Sequence, residues 1–160
     1  MNINYNYEEI AFIMEMQDKM DSCYLDIQTG EIISIPEDII WKLEDENAEE
    51  LLNDEMLPDW EKKLIPKAEE ILYGDSDRYY EIPTIPSYEL YNLRVEFATN
   101  IRNDEIREKL LYALQGKGAF RRFKDVIREY PQIEKEWYEF EHNYLISQAK
   151  EWVESITKNI

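Results

Sequence analysis

The spacing of apolar residues near the start of the chain changes from helical to strand-like. Asn6-Tyr7-Glu8-Glu9 has the form of a helix-starting capping box, and apolar residues then recur every three or four positions. From residue 22 the period falls to two, with Cys23, Leu25 and Ile27 alternating with Tyr24 and Asp26. Gly30 separates this run from a second apolar run. The pattern predicts one helix followed by a β-hairpin that turns at Gly30.

Further helices and a third strand are predicted in the middle of the chain. Pro58-Asp59-Trp60 is typical of a helix start, and the predicted buried stripe of that helix is Trp60, Leu64, Ala68 and Ile71. Gly74-Asp75-Ser76-Asp77 predicts a turn. The aromatic run at 78–83 predicts a third strand on the hairpin, because an isolated two-stranded ribbon is only marginally stable.

The second half of the chain is predicted to be almost wholly helical. Asn103 is expected to cap a helix that ends at Gly116. The next helix has an amphipathic stripe of Phe120, Phe123, Ile127 and Tyr130 and ends before Pro131. A long final helix is anchored by Trp137, Phe140, Tyr144 and Trp152. The predicted fold class is α+β, mostly α, with a small antiparallel β-hairpin or three-stranded sheet packed against a multi-helix bundle, in one globular domain at 1–160.

Composition is typical of a folded protein, whereas the charge is unusual. Hydrophobic residues make up 44% and aromatic residues 13% of the sequence, which argues against disorder. The formal net charge of -18 disfavours nucleic acid and anionic lipid as partners. Cys23 is the single cysteine, and we find neither a signal peptide nor an apolar run of membrane-spanning length. We therefore predict a cytoplasmic protein without membrane association.

One short segment reverses the sign of this charge. Residues 116–128 carry five cations and one acid, a local charge of +4, so the rest of the chain sums to -22. Gly118 is expected to open a helix, which leaves backbone N–H groups available to a phosphate or carboxylate. The predicted anion-binding or partner-binding residues are Lys117, Gly118, Arg121, Arg122, Lys124 and Arg128. The alternative is that these cations are solvated or pair with the chain's own carboxylates, since surface ion pairs are common and weak.

A run of seven acids without a base lies between residues 44 and 55: Glu44, Asp45, Glu46, Glu49, Glu50, Asp54 and Glu55. Its ordinary interpretation is a solvated face. The preferred function is a non-enzymatic cytosolic interaction module that binds a protein or an anionic ligand through residues 117–128. The alternative is an acidic, nucleic-acid-mimicking decoy that sequesters a nucleic-acid-binding protein. Nucleic acid stays a possible but disfavoured partner, and the sequence leaves the oligomeric state open.

No residue set indicates catalysis, a metal or a cofactor. Glu139 and His142 have the Glu-x-x-His spacing of di-iron bundles, but those need a second such motif and the chain has one histidine. Cys23 has no basic neighbour and no second cysteine, so we expect it in the core. Acids are too numerous to single out a general acid–base couple, and no glycine-rich phosphate loop is present. We predict no catalytic residue, no metal ligand and no cofactor.

Four short patterns stand out along the chain: LDxxTGE at 25–31, LPxW at 57–60, GxGAFRRFKD at 116–125 and WYxF at 137–140. Shorter pieces accompany them, namely Ser22-Cys23-Tyr24, Arg78-Tyr79 leading to Ile82-Pro83, and Tyr91 with Glu96-Phe97. Together they resemble an uncharacterised bacterial protein family of unknown function, one of the UPF class. The resemblance spans nearly the whole chain, and the basic pattern is its most specific part. It implies one shared domain and implies no activity.

Overall fold

The computed structural model describes residues 2–74 and 77–158, which form eight helices and three strands. The helices are α1 (Tyr7–Glu15), α2 (Glu37–Asp45), α3 (Ala48–Leu52), α4 (Asp59–Tyr73), α5 (Ser87–Thr99), α6 (Asp104–Ala113), α7 (Ala119–Arg128) and α8 (Pro131–Thr157). The strands are β1 (Asp21–Asp26), β2 (Ile32–Pro36) and β3 (Tyr79–Glu81). The predicted α+β, mostly helical class is confirmed. Within the described ranges, no helix combines the length and apolarity that a membrane span requires.

The three strands form one antiparallel sheet with β1 in the centre, in the order β2-β1-β3. Leu25 pairs with Ile32 on one side and with Tyr80 on the other. Gly30 in the β1–β2 turn has φ +83°, and a Cβ there would lie 2.5 Å from the backbone oxygen of Asn4. Both the backbone conformation and this close approach favour glycine, which confirms the hairpin predicted at Gly30. The turn predicted at 74–77 includes Asp75 and Ser76, which lie outside the described residues.

Asp26, at the end of β1, is fully buried, although the alternating pattern placed it opposite Leu25. Arg78 donates from Nε to Oδ1 at 2.8 Å and from Nη2 to Oδ2 at 2.7 Å, and the Gln28 N–H donates to Oδ1 at 2.9 Å. Burial acts to raise the pKa of Asp26, but the hydrogen bonds from Arg78, Gln28 and Thr29 outweigh it and lower the pKa to about 2. This pair connects the hairpin to the segment that leads into β3.

The buried apolar residues of the described ranges fall into three clusters. The first joins α1, the sheet and the C-terminal half of α8, and the second joins α5, α6 and α7 to the N-terminal half of α8. The third consists of β2 and α2–α4. In the second cluster the ring of Trp137 meets Phe97 and Phe123 edge-on, with centroids 5.3 and 4.9 Å apart. Such aromatic contacts stabilise beyond the area they bury, and they fix α7 against α8.

Trp60 is 57% exposed, so its place in the predicted buried stripe of α4 is wrong. Because α4 begins at Asp59, its inward positions are Glu61, Ile65 and Ala68 instead. The Glu61 carboxylate tolerates burial because Nζ of Lys42 donates to its Oε2 at 3.1 Å. The inward face of α4 therefore starts one residue later than predicted, and it coincides with the predicted stripe at Ala68.

Candidate anion-binding or partner-binding site

Two glycines shape the turn that presents the basic segment. The N-terminus of α6 is capped as predicted, with the Asn103 side chain accepting the Ile106 N–H at 3.0 Å. After the last turn of α6, Gly116 and Gly118 have φ of +75° and +77°, in the left-handed region that glycine adopts without strain. Gly118 is exposed and is the N-cap of α7. The turn folds α7 back against α6, so their buried faces share the second cluster.

Arg122 closes this turn with hydrogen bonds to backbone carbonyls. Its Nε donates to the Ala113 oxygen at 3.0 Å and its Nη2 to the Gly116 oxygen at 3.4 Å. Closer hydrogen bonds join Nη2 to the Gln115 oxygen and Nη1 to the Lys117 oxygen. These carbonyls follow the end of α6, where the helix leaves acceptors without partners and the helix dipole favours a cation.

Arg122 therefore differs from the other predicted binding residues. The sequence groups it with the cations that face a partner, whereas the structure directs its N–H groups to the carbonyl oxygens of the α6–α7 turn. The Arg122 residue is half-buried, and its guanidinium stabilises the turn through these hydrogen bonds. A seat for phosphate that combines Arg122 with the first N–H groups of α7 does not form in this arrangement.

The other four cations of the predicted site are exposed, and we call them the cationic stripe: Lys117, Arg121, Lys124 and Arg128. Arg121, Lys124 and Arg128 follow the spacing of one face of α7, whereas Lys117 lies in the turn before that helix. All four side chains are exposed. Among residues 2–74 and 77–158, none of them lies within 4.0 Å of a carboxylate. These cations thus form no close ion pair with a described acid, although Lys124 lies near enough to Glu141 of α8 to oppose the rise in the pKa of that carboxyl.

Arg94 of α5 supports α7 from behind the cationic stripe. Its guanidinium carbon lies 4.1 Å from the ring centroid of Phe120 and 5.0 Å from that of Trp137. Its Nη2 lies 3.6 Å from Oε2 of Glu141 in α8. Burial raises the pKa of Glu141 and lowers that of Arg94. Phe120 and Phe123 therefore serve as packing residues, as predicted, and the sequence analysis missed the role of Arg94 because its partners lie far along the chain.

A groove of about 730 Å³ lies between α6 and α7, and its described lining includes none of the stripe residues. Tyr112, which is 76% exposed, and Val126 contribute apolar surface to it. The charged residues of this lining are four acids and two cations: Glu105, Glu108, Asp125, Glu129, Lys109 and Arg122. Because the acids outnumber the cations, the groove does not extend the candidate anion-binding surface, which is confined to the stripe itself.

The remaining residues considered for chemistry have structural surroundings. His142 is exposed, and its Nε2 lies 2.8 Å from Oε1 of Glu8, connecting α8 to α1. Cys23 is half-buried against the first core cluster, and the expectation that it has no basic neighbour is wrong, because Lys19 interacts with it electrostatically. In the described part of the chain, no group of three or more His, Cys, Asp or Glu residues is placed to hold a metal ion.

The acidic run at 44–55 lies on α2, α3 and the segment before α4. All seven of its carboxylates are exposed, in agreement with a solvated face. The same region exposes four large apolar side chains that the sequence did not indicate as surface residues, namely Trp41, Leu52, Met56 and Trp60. The second surface with a distinctive character is therefore both acidic and apolar.

Comparison with known proteins relates this fold to a family. The sequence model of the uncharacterised protein family UPF0158 matches residues 5–159. The UPF0158 protein PA5073 of Pseudomonas aeruginosa is 25% identical over 89 residues, which cover 56% of this chain and 58% of that protein. The match thus spans less than two thirds of the length of this relative. No solved structure matches the chain. Since the family match covers almost all of the sequence, the chain belongs to the uncharacterised protein family UPF0158.

Proposed function

We propose that this chain is a single-domain, non-enzymatic cytosolic interaction module that binds an anionic partner through the cationic stripe. The observation that carries this proposal is that Lys117, Arg121, Lys124 and Arg128 are exposed, the last three on one face of α7, without a carboxylate within 4.0 Å among the described residues. Salt screens exposed charges beyond roughly 8 Å. The stripe therefore attracts anions locally despite the net charge of -18.

The shape of the stripe favours an extended partner over a single small anion. Arg121 and Arg128 are separated by about 10 Å along the axis of α7, at 1.5 Å per residue, and Lys117 lies in the turn that leads into the helix. A row of separate cations matches a row of separate anionic groups. We favour an acidic segment of a protein, because a nucleic acid brings a dense line of phosphates toward a strongly acidic molecule.

Charge reversal tests this proposal. The variant Arg121→Glu/Lys124→Glu changes two stripe residues and leaves Arg122 in the turn. The control Lys63→Glu/Lys135→Glu makes the same change in net charge at two exposed lysines on α4 and α8. Binding of labelled poly-glutamate, polyphosphate and single-stranded DNA is measured by fluorescence anisotropy at two salt concentrations, with circular dichroism to verify folding.

We expect the unmodified protein to bind poly-glutamate with an affinity that falls as salt rises. The stripe variant should bind at least about tenfold more weakly, and each cation removed from the interface should reduce the salt slope by about one. The control variant should keep most of the affinity. Equal losses in both variants, or no binding of any of the three polyanions by the unmodified protein, would refute the proposal. Tighter binding of DNA than of poly-glutamate would overturn our choice of partner.

A second candidate function is that of an acidic decoy for a nucleic-acid-binding protein. It is favoured by the seven exposed carboxylates at 44–55 and by the exposed Trp41, Met56 and Trp60 beside them. A basic groove built for nucleic acid would attract such a surface. The test is competition with labelled duplex DNA for a basic DNA-binding protein. Displacement that persists in Arg121→Glu/Lys124→Glu but is lost in Glu49→Gln/Glu50→Gln supports the decoy, and absence of displacement rejects it.

A further inference from the structure

A buried lysine amine adjoins two cavities next to the sheet. Lys19 lies in the loop between α1 and β1, and its Nζ is shielded from solvent without a hydrogen-bond acceptor among residues 2–74 and 77–158. It lines a cavity of about 260 Å³, together with residues that include Ser22, Cys23, Glu37, Glu81 and Thr84. A second cavity, of about 380 Å³, shares Lys19 and Cys23. Buried polar groups nearly always have a partner, so Lys19 points to an acceptor that a bound molecule would supply.

The charges around the smaller cavity restrict what that molecule can be. Among the described residues that line it, Lys19 is the one cation, and Asp21, Glu37 and Glu81 are the acids. A simple anion would satisfy the amine but would be repelled by the three carboxylates, and a simple cation would leave the amine without an acceptor. A molecule that carries both a carboxylate and an ammonium group satisfies both requirements.

The size and polarity of the cavity agree with a small ligand of this kind. At about 30 Å³ for each water molecule, its volume of about 260 Å³ has room for roughly nine groups of that size. The hydroxyl groups of Ser22 and Thr84 add neutral hydrogen-bonding partners. An α-amino acid with a short side chain has these dimensions and these groups.

We propose that the cavity beside Lys19 binds a small zwitterion of the amino-acid type, whose ammonium group faces Glu37 and Glu81 and whose carboxylate accepts from Lys19 once the buried amine turns toward the cavity. Burial lowers the pKa of Lys19, whereas Cys23 and Glu81 act in the opposite direction. A bound carboxylate would strengthen this second influence and keep the amine protonated. The site belongs to the α1–β1 loop and the sheet, so it is independent of the cationic stripe on α7.

Cys23 provides a direct probe, because it is the single cysteine of the sequence and lines both cavities. Alkylation of its thiol by iodoacetate and by iodoacetamide is followed by intact-protein mass spectrometry, and the ratio of the two rates is compared between variants. Iodoacetate carries a carboxylate that Lys19 would attract. We expect the iodoacetate-to-iodoacetamide ratio to fall at least about fivefold in Lys19→Met, and to stay unchanged in Lys63→Met, which alters an exposed lysine on α4. An equal ratio in all three proteins would refute the role of Lys19.

Protection of Cys23 in the unmodified protein tests the ligand itself. The twenty common amino acids are added singly at about 10 mM, well above the dissociation constant of a millimolar site, and the rate of iodoacetamide alkylation is recorded. At least one amino acid should slow alkylation at least twofold, while acetate and ethylammonium should not. Lys19→Met should abolish this protection and Glu81→Gln should weaken it.

The protection assay decides the question even if Lys19→Met fails to fold, because it needs no variant. The proposal is overturned if no amino acid protects Cys23, or if acetate alone or ethylammonium alone protects as well as the zwitterion. Neither result affects the proposal that α7 binds polyanions, so each of the two proposals can be refuted independently of the other.

Discussion

Replacing Asp26 with Asn would remove a negative charge from a fully buried position while keeping the shape of the side chain. Asp26 accepts two hydrogen bonds from Arg78, at 2.7 and 2.8 Å. Breaking a buried ion pair costs about 3–5 kcal/mol when the remaining charge stays buried. The Arg78 side chain is 28% exposed and keeps some hydration, so we expect a loss of about 2–3 kcal/mol at pH 7. For a chain of this size that corresponds to a decrease of about 5–10 °C in Tm.

The pH dependence of this loss follows from the pKa of Asp26. The folded protein holds it at about 2, below the ordinary value of 3.8. Stabilisation by the ionised carboxylate is therefore fully present above about pH 4 and is lost as the pH falls through 2. The difference between the two pKa values corresponds to at most about 2.4 kcal/mol, which solvent at Arg78 reduces to about 1–2 kcal/mol. The deficit of Asp26→Asn should shrink by that amount at pH 2.

Urea unfolding followed by circular dichroism at pH 7, 5, 3 and 2 measures these free energies. Asp104→Asn is the matched control, because Asp104 accepts from Arg107 at the same 2.7 Å but is 87% exposed. The control should lose less than about 1 kcal/mol. Equal losses in the two variants, or a deficit in Asp26→Asn that does not change with pH, would contradict the assignment of a buried, charge-stabilised pair.

Three further variants and one control, Arg121→Lys, test the turn and the surface by urea unfolding. Arg122→Lys keeps the charge but loses the planar guanidinium that donates to several carbonyls, so we expect the free energy of unfolding to fall by about 1–3 kcal/mol. Arg121→Lys should leave the free energy of unfolding unchanged. Gly118→Ala should lose about 1–2 kcal/mol because of its φ of +77° and a Cβ 3.0 Å from Arg122. The two losses should not be additive, because the residues are in contact. Trp60→Ser should change stability by less than about 0.5 kcal/mol, whereas a large loss would indicate burial.

The features that the sequence predicts correctly depend on residues close together in the chain. Asn6 and Asn103 cap their helices through N–H groups three residues ahead. Gly30 and Gly118 adopt left-handed backbone conformations, whose steric cost depends on the residue itself and its immediate neighbours in the chain. The spacing of apolar residues also identifies long helices such as α8 correctly, because the same spacing of three or four residues recurs over many turns.

The features that escape prediction depend on contacts between distant segments. Asp26 and Arg78 are 52 positions apart, so the alternation along β1 gave no sign that this carboxylate would be buried with a cation. Arg122 and Arg121 are adjacent and chemically identical, and only the path of the α6–α7 turn distinguishes the one that binds carbonyls from the one that faces solvent. The candidate site was therefore predictable as a segment, while the direction of each side chain required the tertiary structure.

The distribution of α8 over the core clusters sets the order in which parts of the molecule unfold locally. α8 contributes residues to the first two clusters, such as Leu145 and Trp137, but none to the third, which is built from β2 and α2–α4. Regions that share less of the core open with a smaller free energy. We expect amide hydrogens in α3 and α4 to exchange with deuterium well before those of α8. Heating would then first unfold the acid-rich part of the chain, and a protease would cleave it first. The helix α7, which carries most of the cationic stripe, would stay packed against α8.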